Sequence, residues 1–244
     1  MRNVIVTGGS RGLGLAIVRL LSAAGYDVIA IARRESKELA ALMPDSKGDE
    51  QGNVRFRPFD LSDVHAIPEM VRALRREFGS FYGLVNNAGV GTGGLLASMR
   101  DTQIEHLIRL NTMSPVVLTK YVVRSMMADG GGRIVNVASI VSFTGFKGLS
   151  VYSATKSSLV GFTRSLAREV GKLGITVNAV APGFVDTEMT EDLDGQQRAT
   201  IVRRSALGRL VEVDDVANAV EFLLSAKARN ITGTVLTVDA GSTA

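Results

Sequence analysis

Three polar side chains stand at spacings that would let them form a proton-transfer site. Tyr152 and Lys156 lie four residues apart at the start of a stretch with helical periodicity, which places both on one face of a helix. A free tyrosine has a pKa of about 10, so it needs nearby positive charge to exchange a proton near neutrality. Lys156 would supply that charge, and Ser139 would orient a carbonyl oxygen by a hydrogen bond. The three residues predict reduction of a carbonyl to an alcohol, with Tyr152 as the proton donor.

The elements that must position these side chains alternate between short strands and longer helices. Val/Ile-rich runs predict strands at 4–7, 27–32, 54–59, 84–86, 133–138, 176–181 and 235–238. Helical periodicity predicts helices at 13–24, 66–78, 103–127, 153–173 and 214–224. This alternation predicts an α/β, doubly wound Rossmann fold with about seven parallel strands and helices on both faces. Ser139 would then lie at the carboxyl end of a central strand, where such sheets bind ligands.

The chain length fits a single domain. Its 244 residues, 45% hydrophobic and 21% charged, predict one catalytic domain over residues 1–244. The irregular region that follows the sixth strand predicts a flexible substrate flap at about residues 183–210. The polar stretch 44–52 is predicted to be a surface loop.

Composition argues against several other classes of function. The chain has no cysteine, and His65 and His106 have no paired ligands, so no metal is predicted. The first apolar run, 4–6, is far shorter than the roughly 18 residues of a membrane span. A soluble, unprocessed, cytoplasmic protein without a membrane partner is therefore expected. The net charge of +4 is dispersed, so nucleic acid is not an expected partner.

A glycine-rich segment between the first strand and the first helix points to a dinucleotide. It reads Thr7-Gly8-Gly9-Ser10-Arg11-Gly12-Leu13-Gly14. Glycines let the backbone approach a pyrophosphate, whose charge the following helix N-terminus stabilises. An ordinary glycine-rich turn is the alternative, but the position between strand and helix favours the cofactor loop.

The end of the second strand indicates which dinucleotide is bound. The acidic residue that would bind the ribose 2′-hydroxyl of NAD is absent there, and Arg33 and Arg34 follow Ala32 instead. Together with Arg11 in the glycine loop, they would surround a 2′-phosphate, so NADP(H) is predicted over NAD(H). A solvated basic pair is the alternative for Arg33 and Arg34.

Over nearly its whole length the chain resembles the short-chain dehydrogenase/reductases. The matching motifs are the loop 7–14, Asn86-Asn87-Ala88-Gly89 after the fourth strand, the set of Ser139, Tyr152 and Lys156, and Pro182-Gly183 after the sixth strand. The resemblance implies that Asn111 completes a catalytic tetrad by holding a water that links Lys156 to solvent. A polar residue inside a helix is the alternative for Asn111.

The resemblance also implies cofactor contacts along the chain. Asp60 and Leu61 would flank the adenine, Asn87 would lie near the ribose, Thr187 would contact the nicotinamide amide, and Lys156 would also bind the nicotinamide ribose. The complete predicted cofactor-binding set is Gly8, Ser10, Arg11, Gly12, Leu13, Gly14, Arg33, Arg34, Asp60, Leu61, Asn87, Ala88, Gly89, Tyr152, Lys156, Pro182, Gly183, Val185 and Thr187.

Within the family the sequence is most similar to the 3-oxoacyl-acyl-carrier-protein reductases. The similar segments are 161–169, 174–178, 181–184 and 231–233. This resemblance implies a 3-oxoacyl thioester substrate, an acidic acyl-carrier protein as partner, and a homotetramer or homodimer. Small and apolar residues in the helices predicted at 103–127 and 153–173 also fit packing against a second copy.

One departure leaves the substrate open. Gly130 and Leu173 stand where the bacterial fatty-acid enzymes typically present arginines, so Arg124, Arg133 and Lys172 would have to form the basic rim for the carrier. A small-molecule, sugar, steroid or polyketide carbonyl therefore remains an alternative substrate.

Two questions of role also remain open. The side chains of Phe184, Met189 and Leu193 would either line an apolar acyl pocket or simply pack the flap. A non-catalytic NADP(H)-sensing protein is a further alternative, although a sensor would not need the intact pair of Tyr152 and Lys156.

Overall fold

A seven-stranded parallel sheet forms the centre of the protein in a computed structural model that describes residues 2–43, 52–185 and 195–244. The strands are β1 (Asn3–Thr7), β2 (Asp27–Ala32), β3 (Val54–Pro58), β4 (Phe81–Asn86), β5 (Gly132–Val137), β6 (Ile175–Pro182) and β7 (Val235–Val238). Their order in the sheet is β3-β2-β1-β4-β5-β6-β7. The predicted doubly wound α/β fold is confirmed.

Helices cover both faces of this sheet. They are α1 (Gly12–Ala23), α2 (Lys37–Ala40), α3 (Ile67–Phe78), α4 (Asp101–Ile108), α5 (Ser114–Asp129), α6 (Ser150–Val170), α7 (Gly195–Arg204) and α8 (Val213–Leu224). Because successive strand side chains point to opposite faces, Val4 and Val6 pack in the layer of α1 and α8, whereas Ile5 packs in the layer of α3, α5 and α6. Burial on both faces explains why these strands read as continuous apolar runs.

The connections reverse direction between β1 and β4. From β1 the sheet grows through β2 and β3 on one side, and from β4 it grows through β5, β6 and β7 on the other. Loops that leave the carboxyl ends of β1 and β4 therefore diverge and open a crevice, which is where sheets of this kind bind ligands.

The helix predicted at 103–127 is not continuous. The structure contains α4, then a π-helical segment at Arg109–Met113, then α5 with Pro115 in its first turn. Proline is tolerated there because the first backbone N–H groups of a helix have no partner within it. One inserted residue hardly alters hydrophobic periodicity, so the break could not be predicted from the pattern. Single-turn π segments are frequent at functional sites, and this one contains Asn111.

Other helix and strand boundaries differ from the predicted ones by a few residues. The fourth strand begins at Phe81 rather than at residue 84, and α6 begins at Ser150 and ends at Val170 before a short 3-10 turn, Gly171–Leu173. Helix α7 lies inside the segment predicted as a flap. The predicted loop at 44–52 lies outside the described residues except for Gly52, and so do Thr187, Met189 and Leu193.

None of the helices in the described ranges is long and apolar enough to cross a membrane.

Candidate active site

Ser139 and Tyr152 come together at the carboxyl edge of the sheet. Strand β5 ends at Val137, and Ser139 follows two residues later in extended conformation. Its Oγ accepts a 3.4 Å hydrogen bond from the Val141 N–H and begins the 3-10 turn Ile140–Ser142. Tyr152 lies in the first turn of α6, with its phenol close enough to the Ser139 hydroxyl for that hydroxyl to lower the pKa of the phenol. Both hydroxyls therefore face one position.

Lys156 lies one turn further along α6 and is only 5% exposed. Its Nζ donates a 2.8 Å hydrogen bond to the Val137 carbonyl oxygen and lies 5.9 Å from the centroid of the Tyr152 ring. The turn of α6 thus sets a buried ammonium group between the end of β5 and the phenol.

Burial dominates the electrostatics of this pair. Loss of solvent raises the pKa of Tyr152 from 10.0 to about 12, although the hydrogen bond with Ser139 opposes the rise. Burial lowers the pKa of Lys156 from 10.5 to about 8. The predicted role of Lys156, to stabilise the phenolate by its charge, stays a prediction, and in the protein by itself burial dominates the pKa of Tyr152. The ammonium donates to the Val137 carbonyl, and desolvation of the phenol is the largest cause of the Tyr152 pKa shift.

Asn111 is 1% exposed and bridges three parts of the site. Its Oδ1 accepts from the Val90 N–H at 2.9 Å, while its Nδ2 donates to the Val90 carbonyl at 2.9 Å and to Thr155 Oγ1 at 3.2 Å. The π-helical segment therefore fixes both the loop after β4 and the first turns of α6.

Gly89 separates Asn111 from Lys156. A Cβ atom at Gly89 would lie 3.2 Å from Asn111 Oδ1 and 3.6 Å from Lys156 Nζ. Such a contact with Oδ1 is tighter than side chains ordinarily make, so glycine keeps this space open. The predicted water that links Lys156 to solvent through Asn111 stays a prediction.

The glycine loop approaches its neighbours too closely for larger residues. A Cβ at Gly14 would collide with the Gly8 carbonyl, and Gly8 and Gly12 have φ angles of +68° and +52°. The Gly8 N–H donates to the Ile31 carbonyl at 2.8 Å, which ties the loop to β2. The loop leads into α1 at Gly12, so the first N–H groups of that helix point toward the crevice.

Thr7 and Asn87 fasten the glycine loop to the loop after β4. Thr7 Oγ1 accepts from the N–H groups of Asn87 and Ala88 at 2.9 and 3.0 Å, and Asn87 Nδ2 donates to the Thr7 carbonyl at 2.9 Å. The Asn87 side chain, predicted to lie near the ribose, is thus directed to the loop backbone. Thr7 was not among the predicted site residues, because no pattern in the sequence connects it to residues eighty positions away.

The region where the adenine end of the cofactor is predicted to bind is more exposed to solvent than the region around Tyr152. Arg33 and Arg34 are exposed after the end of β2, and Arg11, the residue before α1, is exposed as well. Asp60 Oδ1 accepts from the backbone N–H and the hydroxyl of Ser62, and these bonds, more than the charge of Arg33, lower the pKa of its carboxyl. Leu61 is buried in the core, so only its backbone remains available to a ligand.

The carboxyl end of β6 rests on the C-terminal turn. The Gly183 N–H donates to the Val238 carbonyl at 2.9 Å, and a Cβ at Gly183 would lie 2.8 Å from Asp239 Cα. Pro182 ends β6, and Val185 pairs with Val211 in an isolated bridge.

Two aromatic rings connect the loop between Ser139 and Tyr152 to the segment after β6. Phe146, in the loop between Ser139 and Tyr152, packs edge-on against Phe184 after β6, with ring centroids 5.6 Å apart. Phe146 was not predicted as a site residue, since an isolated phenylalanine in a loop carries no signal of its own.

Metal ligands are sparse in the part of the chain that the structure describes, where no group of three His, Asp or Glu side chains is placed to hold an ion.

Comparison with known proteins assigns the chain to a family. A family model described as short chain dehydrogenase matches residues 2–198. The 3-oxoacyl-[acyl-carrier-protein] reductase FabG of Escherichia coli is 42% identical over 237 residues, which cover 97% of this chain and 95% of that protein. The chain therefore belongs to the short-chain dehydrogenase family, and the predicted enzyme class, an oxidoreductase, is confirmed.

Solved structures agree with this assignment. A short chain dehydrogenase from Burkholderia cenocepacia in complex with NADP has a TM-score of 0.90 at 33% identity, over 100% of this chain and 98% of that one. A gluconate 5-dehydrogenase from the same organism, in complex with NADP and tartrate, has a TM-score of 0.92 at 29% identity, over 99% and 95% of the two chains.

The burial of Lys156 predicts that the difference in unfolding free energy between wild type and Lys156→Met depends on pH. Between pH 8 and 10.5 the folded state loses this proton while the unfolded state keeps it, so this group makes the free energy of unfolding rise with pH. Below pH 8 the buried charge costs about 3 kcal/mol, which Lys156→Met should largely recover. Urea denaturation below pH 8 and near pH 10.5 should show the variant's advantage shrinking as pH rises.

The exposed lysine Lys172 provides the control for that measurement. Lys172→Met should follow the wild-type dependence of the unfolding free energy on pH. The same pH dependence in Lys156→Met and in wild type would show that Lys156 is not a buried charge.

Proposed function

We propose that this enzyme reduces a ketone to a secondary alcohol with NADPH, and that its substrate is a 3-oxoacyl thioester on an acyl-carrier protein. The observation that carries the proposal is the pair of neighbouring hydroxyls of Ser139 and Tyr152, with the Lys156 ammonium one helical turn away. A ketone oxygen between the two hydroxyls would receive one hydrogen bond from each.

The crevice fits a nicotinamide dinucleotide. Any side chain at Gly14 would collide with the Gly8 carbonyl. Because glycine stands there, the loop packs closely against the start of α1, which leaves room for a pyrophosphate to reach the N-terminus of that helix. Arg33, Arg34 and Arg11 lie on the side where the 2′-phosphate of NADPH would be held. When bound, the reduced nicotinamide supplies the hydride.

The protein side chains would manage the proton. With a pKa of about 12, Tyr152 is protonated at neutral pH and can give its proton to the forming alkoxide. Ser139 would hold the oxygen in place, and Lys156, charged below pH 8, would stabilise the phenolate left behind. Asn111 would hold the water that returns a proton through Lys156.

A fatty-acyl substrate is supported by relatives and by the local surface. The Escherichia coli protein that is 42% identical is named a 3-oxoacyl-[acyl-carrier-protein] reductase. The aromatic pair of Phe146 and Phe184, on the loops that follow β5 and β6, would offer an apolar wall that suits an alkyl chain better than a polyhydroxylated one. The similarity to a gluconate 5-dehydrogenase keeps a sugar ketone as the second candidate.

The basic rim for an acidic carrier is smaller than the sequence predicted. The Arg133 guanidinium donates to the carbonyls of Gly132 and Gly174 and stands over the Tyr82 ring, so it is committed within the chain. Arg124 and Lys172 remain exposed near the carboxyl ends of α5 and α6. We propose that these two residues provide the carrier's electrostatic contact.

The assembly is proposed to be a homotetramer or homodimer. Exposed apolar side chains follow the outer face of α4, the π-helical segment and α5, where a second copy would cover them. They are Ile108 (44% exposed), Met113 (43%), Val116 (36%) and Met127 (46%). A substrate flap at about residues 183–210 and a cytoplasmic location complete the proposal.

Arg33→Ala tests the cofactor assignment. Loss of a guanidinium from the 2′-phosphate should raise the Michaelis constant for NADPH at least about tenfold while leaving that for NADH unchanged. Arg229→Ala, which alters an exposed arginine that follows α8 in the chain, is the matched control. Unchanged use of NADPH, with NADH serving equally well, would refute the assignment.

A substrate panel tests the reaction itself. NADPH oxidation should be fastest with acetoacetyl-acyl-carrier protein, slower with acetoacetyl-coenzyme A, and slowest with gluconate-type and steroid ketones. Faster turnover of a sugar ketone would replace the acyl substrate with the second candidate. Tight binding of NADPH without turnover of any ketone would favour the sensing protein over the enzyme.

A further inference from the structure

Four polar side chains lie buried between the sheet and the two helices that carry the site. Asn86 on β4 is 4% exposed, and Asn136 on β5, Thr119 on α5 and Thr163 on α6 are each 0% exposed. Each of them belongs to one of the four elements that position the catalytic groups. The roles proposed above for the active site do not use them.

These side chains form one directed chain of hydrogen bonds. Asn86 Nδ2 donates to Thr119 Oγ1 at 2.9 Å and to Asn136 Oδ1 at 2.8 Å, and Asn136 Nδ2 donates to Thr163 Oγ1 at 2.8 Å. Asn86 and Asn136 are register partners in the sheet. The network therefore connects β4, β5, α5 and α6 at one level of the fold.

Consecutive residues of β5 hold α6 at two points. The Asn136 side chain holds Thr163, and the Val137 carbonyl accepts from Lys156. Lys156 and Thr163 are seven residues apart, so they lie on the same face of α6, two turns from each other. Any shift of α6 along the sheet would lengthen both bonds together.

Packing alone does not require polar groups at this level. Leu159, which lies between the two contacts on the same helix face, is 2% exposed and already packs there. Asn86 Oδ1 is buried and accepts no hydrogen bond from the described residues, which is unfavourable for stability. The hydrogen bonds of this network, despite the unpaired acceptor, fix the relative positions of the strands and helices more specifically than apolar packing would.

We propose that Asn136 and Thr163 are positioning residues for the reaction. Their hydrogen bond, oriented by Asn86, fixes the position of α6 along β5. It thereby holds the Lys156 ammonium at the Val137 carbonyl and the Tyr152 phenol at Ser139. The inference rests on the proposed function, since it assigns these residues a role in the same proton transfer.

Thr163→Val tests the role, because it removes the hydroxyl and keeps the shape. We expect kcat to fall about tenfold or more while the Michaelis constant for NADPH stays unchanged, because a small displacement of catalytic groups slows the reaction more than it weakens binding. The pH dependence of kcat should shift as well, and Thr163→Ser should restore both. Thr176→Val is the control: Thr176 is a 7% exposed threonine on β6 whose Oγ1 has no partner among the described residues.

Titration of the ε-carbon resonance of Lys156, assigned with Lys156→Met, gives a readout that needs no substrate. A displaced midpoint in Thr163→Val, but not in Thr176→Val, supports the positioning role even if every ketone fails and the proposed function is wrong. The proposal would be overturned if Thr163→Val had the same kcat, the same pH profile and the same Lys156 titration midpoint as wild type. A lower melting temperature with those three values unchanged would also overturn it, since the network would then be merely structural.

Discussion

The site depends on one buried positive charge. An ammonium group inside a protein loses its hydration, and it remains charged only where fixed dipoles replace the lost water. Here the Val137 carbonyl supplies that replacement, and it does so only while β5 and α6 keep their relative position. The pKa of about 8 shows that the compensation is partial, because Lys156 would otherwise remain near 10.5. Much of the surrounding structure serves to keep this arrangement in place.

Two sets of contacts meet that requirement from different sides. On the substrate side, Asn111 ties the π-helical segment to the first turns of α6, while Asn136 ties the next two turns to β5. On the cofactor side, Thr7 and Asn87 join the loops that leave β1 and β4 at the point where the strand order reverses. The fold opens a crevice there, and these polar contacts give its walls a defined geometry, so a dinucleotide and a ketone could meet at the phenol.

Local patterns could be read from the sequence, and contacts between distant segments could not. The glycine loop and the pair of Tyr152 and Lys156 depend on residues within one turn, so their types and spacing were sufficient. Thr7 and Thr163 lie in segments that resemble the family, but each acts through partners tens of residues away, which no local pattern indicates. The direction of the Tyr152 pKa shift could not be predicted because burial is a property of the folded protein, whereas the sequence shows only that a lysine lies nearby. The π-helical segment could not be predicted because one inserted residue hardly alters hydrophobic periodicity.

The measurement closest to the central claim is the turnover of Tyr152→Phe. Removing the phenol hydroxyl should lower kcat by about 10² to 10⁴, which is the contribution of a general acid, while NADPH affinity stays at the wild-type value. Tyr121→Phe, which alters a half-buried tyrosine on α5, should behave as wild type in both respects. Near wild-type turnover in Tyr152→Phe would contradict the claim that this phenol gives the proton.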